Sequence, residues 1–213
     1  MDYETEEQQV EALKRWWKEN GKLVITGIAL GLGLVVGVRF YNQYTNERAE
    51  SASYLFEQVI SSTADTEQDV KAEVDRLQTE FGSTPYATLS ALVMAKQLVQ
   101  KGDLAGARQK LEWVITNSSN VELQHIARLR LIRILNSSGE FDQALALANI
   151  DYPVSFAALY EELKGDAYLA KGDAAQAQLA YDKAILQSGA QANRWLKLKR
   201  EDLGKIKLDD PSA

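Results

Sequence analysis

Residues Leu23 to Val38 read LVITGIALGLGLVVGV, sixteen residues without a charge. Only the Thr26 hydroxyl interrupts an otherwise apolar or glycine run. At 1.5 Å per residue the run spans roughly 24 Å, somewhat short of a ~30 Å hydrocarbon core. The flanks make up the difference. Trp16 and Trp17 precede it and Phe40, Tyr41 and Tyr44 follow it, and aromatic rings favour the headgroup level. Lys22 and Arg39 are placed to snorkel outward from its two ends. Beyond about residue 45 the chain turns polar and amphipathic. The sequence therefore predicts a tail over residues 1–22, a transmembrane anchor with an interfacial flank over 23–44, and one soluble domain over 45–213.

A cleaved signal peptide needs a short basic start and a small-residue cleavage site. Here 22 residues containing six acids precede the apolar run, and Arg39-Phe40-Tyr41-Asn42 follows it without an A-x-A-like site. A retained anchor is the expectation. A buried core helix fits poorly, because the run has no polar face and is bracketed by aromatics. Lys14, Arg15, Lys18 and Lys22 stand before the span, against Arg39 and Arg48 in the residues just after it. Basic residues stay on the cytoplasmic side, so the N-terminus is expected in the cytoplasm. In a bacterium the domain would be periplasmic.

The chain has no cysteine, which removes disulfides, thiolate nucleophiles and Cys-ligated metals. A net charge of −6 argues against nonspecific nucleic-acid binding, which needs a basic surface. The residues after the anchor suffice for a domain with a continuous core.

That domain reads as helix after helix. Thr84-Pro85 fits an N-cap followed by proline at the first helical position, and Asp151-Tyr152-Pro153 breaks two periodic stretches. Val70, Val74, Leu77 and Phe81 step along one helical face, as do Leu55, Phe56, Val59 and Ile60. A repeat is also visible. Gly102-Asp103, Gly139-Glu140 and Gly172-Asp173 are each followed by an alanine five residues after the glycine: Ala107, Ala144 and Ala177. The glycines are 37 and 33 residues apart, a spacing in the range of helical-hairpin arrays. Glycine lets the chain leave one helix in a left-handed conformation. The acid starts the next helix at its positive dipole end, and the small alanine permits close crossing. The third unit, Gly165 to Leu186, resembles a tetratricopeptide repeat, with Gly165, Tyr168, Gly172, Ala177, Tyr181 and Ala184 at the motif's spacings. Lys164 departs from it, standing where the motif usually has leucine. The predicted fold is all-α: a single N-terminal transmembrane helix followed by a tetratricopeptide-like helical-repeat domain. Asn193 to Lys207, carrying Trp195, Leu196, Leu198 and Leu203, reads as a capping helix. Its basic cluster of Arg194, Lys197, Lys199 and Arg200 reads as a solvated face, with a docking patch as the alternative.

Signs of catalysis are lacking. His125 is the only histidine, and a lone His without Cys cannot supply a usual zinc site. No phosphate loop, G-x-G-x-x-G or G-x-S-x-G occurs. Glu161-Glu162 and Asp209-Asp210 read as solvated carboxylates. No enzyme activity, catalytic residue, metal or cofactor is expected. Candidate contact residues lie elsewhere. Gly27 with Gly31, and Gly33 with Gly37, form two G-x-x-x-G pairs on two sides of the anchor, where small residues let helices approach in lipid. Tyr168 and Tyr181 match core positions of the repeat motif, whereas Tyr160 is the tyrosine expected to be freer for a partner.

The acidic tail, KRWWKENGK, the Gly-rich anchor, RFYNQY, Ser51-Ala52-Ser53 and the degenerate repeats follow one another in an order that resembles the YfgM family, ancillary subunits of the bacterial SecYEG translocon. The likeness runs over nearly all of the chain. It implies a single-pass inner-membrane protein with a periplasmic domain, associated with SecYEG and with the membrane-anchored periplasmic chaperone PpiD. The implied role is in handling newly translocated proteins, without bond chemistry. Some members are linked to sequestration of a cytoplasmic stress-response regulator, which would use the N-tail. The competing reading is a membrane-tethered helical-repeat scaffold for envelope assembly unrelated to secretion.

Overall fold

The computed structural model describes residues 6–61, 67–189 and 194–208. Among them the regular structure is α-helical throughout: α1 (Glu6–Ser61), α2 (Glu67–Glu80), α3 (Pro85–Lys101), α4 (Leu104–Asn117), α5 (Val121–Ser137), α6 (Phe141–Ala148), α7 (Val154–Ala170), α8 (Ala174–Ser188) and α9 (Arg194–Leu208). The chain divides into two compact units, Met1–Ser51 and Ala52–Ala213.

The first unit is helical through its described part. Its apolar stretch has a mean hydropathy of 2.2, with none of that window buried. Leu23, Leu30, Leu34 and Val36 are all more than half exposed. Such a continuous bare apolar surface is far larger than soluble monomers tolerate, and every backbone polar group of a helix is satisfied internally, as lipid requires. The helix fits a single-pass membrane protein. Thr26, the polar interruption, turns its hydroxyl back onto the Lys22 carbonyl at 2.8 Å, which conceals its donor from the surroundings. A Cβ built on Gly27, Gly31, Gly33 or Gly37 meets nothing within 4 Å.

The second unit is a run of antiparallel helix pairs, and three junctions share one backbone design. Gly102, Gly139 and Gly172 have φ of 84°, 78° and 83°, in the left-handed region that glycine enters without a Cβ clash. At each junction the glycine N–H bonds the carbonyl three residues back, and the next N–H reaches five residues back. The pairs are Gly102 to Val99 and Asp103 to Leu98, Gly139 to Asn136 and Glu140 to Leu135, and Gly172 to Leu169 and Asp173 to Tyr168. This is the Schellman pattern, which satisfies carbonyls the helix end leaves free. The acid then begins the next helix. Asp103 accepts from the Gly106 N–H at 2.9 Å and Asp173 from the Gln176 N–H at 3.0 Å, as N-caps do. Glu140 does not cap; its longer side chain reaches Arg108 at 3.1 Å instead.

The alanines sit where the helices cross: Ala107, Ala144, Ala177 and Ala184 are all buried. One large cluster gathers residues from Ala52 to Leu163. A second, smaller one holds Ala177, Tyr181, Ala184, Leu196 and Leu203, with Tyr168 packed against it. Val70, Val74 and Leu77 are buried on one face of α2, with Phe81 partly so; Leu55 and Val59 are buried, but Ile60 is 55% exposed. The expected second face thus ends one residue early. Pro85 opens α3, but Thr84 does not cap it. Its hydroxyl donates to the Phe81 carbonyl at 2.8 Å, closing the preceding turn. α9 caps the array through Leu196 and Leu203, while Trp195 is exposed. Lys199 and Arg200 are not a solvated face. Lys199 bonds Glu162 at 2.9 Å and Asp166 at 2.8 Å, and Arg200 bonds Asp182 at 2.6 Å, tying α9 to α7 and α8. Asn193 and the pair Asp209-Asp210 lie outside the described residues.

The α7–α8 crossing supplies a stability test. A Cβ on Gly165 would lie 2.4 Å from the Tyr181 ring, and that ring is fully buried. On an open helix Gly→Ala gains roughly 1 kcal/mol; here overpacking costs ~1–3 kcal/mol. Gly165→Ala should therefore lower the denaturant midpoint instead of raising it, and Ala177→Leu should do the same through the same crossing. A raised midpoint for Gly165→Ala would show that the ring has room to move.

Candidate interaction site

Two grooves open on the repeat unit, and a buried polar network lies near one of them. The network begins on α5. His125 points inward at 5% exposure and its Nδ1 lies 2.9 Å from the Tyr160 hydroxyl. The Phe156 ring stacks on the imidazole at 5.0 Å between centroids. Tyr152, from the segment between α6 and α7, stacks on Tyr160 at 4.6 Å and 7°. Its hydroxyl donates to Glu161 Oε1 at 2.6 Å, and Lys164 donates to the same oxygen at 3.0 Å.

These placements correct two expectations. Tyr160 has no exposed surface and cannot present its ring to a partner. Its phenol is needed inside, because a buried hydroxyl without a partner is costly. Glu161 is only 8% exposed, so it is not a solvated carboxylate; Lys164 and Tyr152 compensate its burial. Glu162, also partly buried, is held by Lys199.

The electrostatics follow from burial. A phenol both donates and accepts, so the His125 tautomer sets which way its hydrogen bond to Tyr160 runs. Burial, followed by the nearby Arg128 charge, holds the His125 pKa below 6.5. Burial raises the Tyr160 and Tyr152 phenols. Burial alone would lower the Lys164 pKa, but its bonds to Glu161 and Tyr152 outweigh that and raise it. Tyr181 is raised by burial and then by its hydrogen bond to Asp166, made at 2.8 Å. These groups hold helices together.

The grooves differ in character. One, about 400 Å³, is lined by Leu145, Asn149, Glu161, Lys164, Tyr168 and Lys183 among others, and is largely polar. Tyr168 is thus a core neighbour on one edge and a groove wall on the other. The second groove, about 440 Å³, lies among α3, α4 and α5 and is largely apolar, with Lys96, Arg130 and Arg133 at its rim. The structure does not bring the motif residues Ala107, Ala144 or Ala177 into either groove; they are buried in the crossings. The sequence reading missed the second groove. Its signal was present in the i, i+3 pairs Lys96/Val99 and Arg130/Arg133, but only the packing of α4 against both α3 and α5 brings them to one groove.

Residues 14–205 match the tetratricopeptide repeat-like domain family. A relative from Haemophilus influenzae, named ancillary SecYEG translocon subunit, is 34% identical over 205 residues, covering 96% of this chain and 97% of its own. The chain belongs to the YfgM family. Family relatives of the same name from Escherichia coli and Neisseria gonorrhoeae are 31% and 27% identical, covering 86% and 84% of this chain and 88% and 87% of theirs. No solved structure matches the chain at significance. The match includes the apolar helix as well as the repeats, so the resemblance is to the whole arrangement.

The network predicts an acid sensitivity. Between its depressed folded pKa and the ordinary 6.5, His125 binds fewer protons in the folded state than in the unfolded chain. Its contribution is complete above about 6.5 and falls as the pH drops below that value. His125→Gln removes the titration while leaving a hydrogen-bonding side chain. It should cost about 1 kcal/mol at pH 7.5 and flatten the fall in stability between neutral and mildly acidic pH. Denaturant titrations of both proteins across that range check this; parallel pH profiles would show that His125 is not the group responsible.

Proposed function

We propose that this chain is a non-catalytic ancillary subunit of the SecYEG translocon, anchored in the bacterial inner membrane. In this reading residues 1–22 are cytoplasmic, 23–44 cross the membrane, and 45–213 form a periplasmic domain that links the translocon to PpiD and assists newly translocated proteins. The observation that carries the proposal is the end-to-end similarity to proteins named ancillary SecYEG translocon subunit, at up to 34% identity over 96% of this chain. The bare apolar helix gives the physical means of residing beside a membrane channel, and stacked helical pairs present grooves suited to holding protein segments. The excess of basic residues before the span supports the orientation. In this reading the cytoplasmic tail, residues 1–22, is the segment that a stress-response regulator would meet.

Purification of the tagged protein from membranes in mild detergent should recover SecY and PpiD. Recovery of envelope assembly proteins without either would replace the proposal by the scaffold reading. A periplasm-specific reporter fused after Ala213 should be active, and activity of a cytoplasm-only reporter there would reverse the orientation. Within the anchor, Gly33→Leu combined with Gly37→Leu adds bulk at two positions where a Cβ meets nothing within 4 Å. The variant should insert normally yet recover less SecY or PpiD; undiminished recovery would mean that this side of the helix faces lipid.

A further inference from the structure

We propose that the groove among α3, α4 and α5 is a docking site for an acidic amphipathic protein segment, a helix with an apolar face flanked by carboxylates. The floor is apolar, made by Ala95, Val99, Leu104, Leu111 and Ile134, and Val99 is 43% exposed there although its neighbours Ala95 and Leu98 are buried. At about 440 Å³ the groove has the capacity to take several apolar side chains, in the size range of recognition clefts.

The rim decides the occupant. Lys96, Arg130 and Arg133 stand around the groove, and none of its lining residues is acidic. Within the same unit, cations that serve packing face carboxylates: Lys110 meets Asp75, Lys164 meets Glu161, and Lys199 meets Glu162 and Asp166. Lys96 and Arg133 have no hydrogen-bond or ion-pair partner among the described residues, and Arg130 reaches only the Leu92 carbonyl at 3.4 Å. Three cations are thus gathered, uncompensated, on a chain of net charge −6. Opposite charge on a partner would steer it to this face and fix its register, while the floor takes its apolar side chains in the helix-in-groove mode. A cationic or neutral segment would find the same floor without the rim's attraction.

The inference deepens the proposed interaction role by naming the site and the chemistry of its partner, and it rests on that role. Its test is a binding titration with the full chain in nanodiscs. The probe is a fluorescein-labelled helical peptide with leucines along one face and glutamates flanking them; its counterpart carries lysines in place of the glutamates. The acidic peptide should bind and the basic one should not, and binding should weaken as salt rises. Arg130→Glu with Arg133→Glu should weaken binding about tenfold or more, and Val99→Asp should weaken it while keeping both cations. Lys71→Glu on α2, outside the groove, should leave it unchanged, and circular dichroism melts confirm that each variant is folded. Equal binding of the two peptides, binding untouched by the groove substitutions in folded protein, or displacement of the peptide by equimolar oleate would overturn the proposal. Peptide binding that persists where SecY is not recovered would count against the translocon role and leave this site standing; recovery of SecY without peptide binding would remove the site alone.

Discussion

Three turns between packed helices, α3 to α4, α5 to α6 and α7 to α8, depend on one short covalent sequence, a glycine followed by an acid. The glycine supplies a backbone conformation that an L side chain adopts only with strain. The acid's N–H closes the outgoing helix while its side chain or its position opens the incoming one. Two helices are thereby joined with almost no free loop, which limits the directions in which the second can leave. Packing then selects among those directions. The alanine placed one turn into the incoming helix lets the backbones approach, as Ala177 does beside the Gly165–Tyr181 contact. The middle junction tests how much of this is required. Glu140 makes the backbone bonds but no side-chain cap, and the helix still starts there. The backbone pattern is thus the constant, and the cap is an addition at two sites.

The two units solve opposite solvation problems. In the repeat unit, apolar side chains turn inward and polar ones close the seams. Lys110 joins α4 to α2 through Asp75 and Gln78, and Lys171 reaches Asp142 between the second and third pairs. In the first unit the apolar residues have no inward direction, because a lone helix has no interior. Their burial must come from beyond the helix itself. This is why Thr26 can only bond its own backbone, and why the four anchor glycines face open space. The family match over residues 14–205 spans both environments, consistent with a protein whose tether and repeat unit belong to one functional arrangement.

The features legible in the sequence are those set by local chemistry. Gly102, Gly139 and Gly172 declare themselves because a left-handed junction is decided within six residues. The α2 face is legible because Val70, Val74 and Leu77 lie on one helix. Tyr160 and Glu161 were misread because their surroundings are made by other segments. His125 arrives from α5 and Tyr152 from the segment before α7, at separations of 35 and 8–9 residues in the chain. No periodicity within α7 records that a tyrosine there will meet a histidine. Lys199 and Arg200 were read as solvated for the same reason. Their carboxylate partners lie on α7 and α8, and a charge run looks alike whether its partners are solvent or a neighbouring helix. Thr84 shows a smaller limit: a residue with the right identity for a cap can turn its hydroxyl to donate elsewhere, here to the Phe81 carbonyl, instead of accepting from the next helix.

The contrast between paired and unpaired cations carries the argument one step further. Exposed ion pairs contribute little to stability, so a fold has no strong reason to provide one for each surface lysine or arginine. The case changes at the edge of an apolar groove, where the neighbouring low-polarity surface reduces hydration of the charged heads and like charges stand close together. A carboxylate on α3 or α5 would relieve both effects, as Asp75 does for Lys110 across α2 and α4. The groove lining contains none. An arrangement that leaves the floor uncovered and the rim uncompensated sacrifices a little stability at both levels, and both losses are recovered by the same event, the arrival of a segment that is apolar toward Val99 and Ile134 and acidic toward Arg130 and Arg133. Stability and recognition are therefore in opposition at this face, whereas at the His125–Tyr160 network, where the buried rings and the Tyr152–Glu161–Lys164 bonds serve packing between segments, they are not.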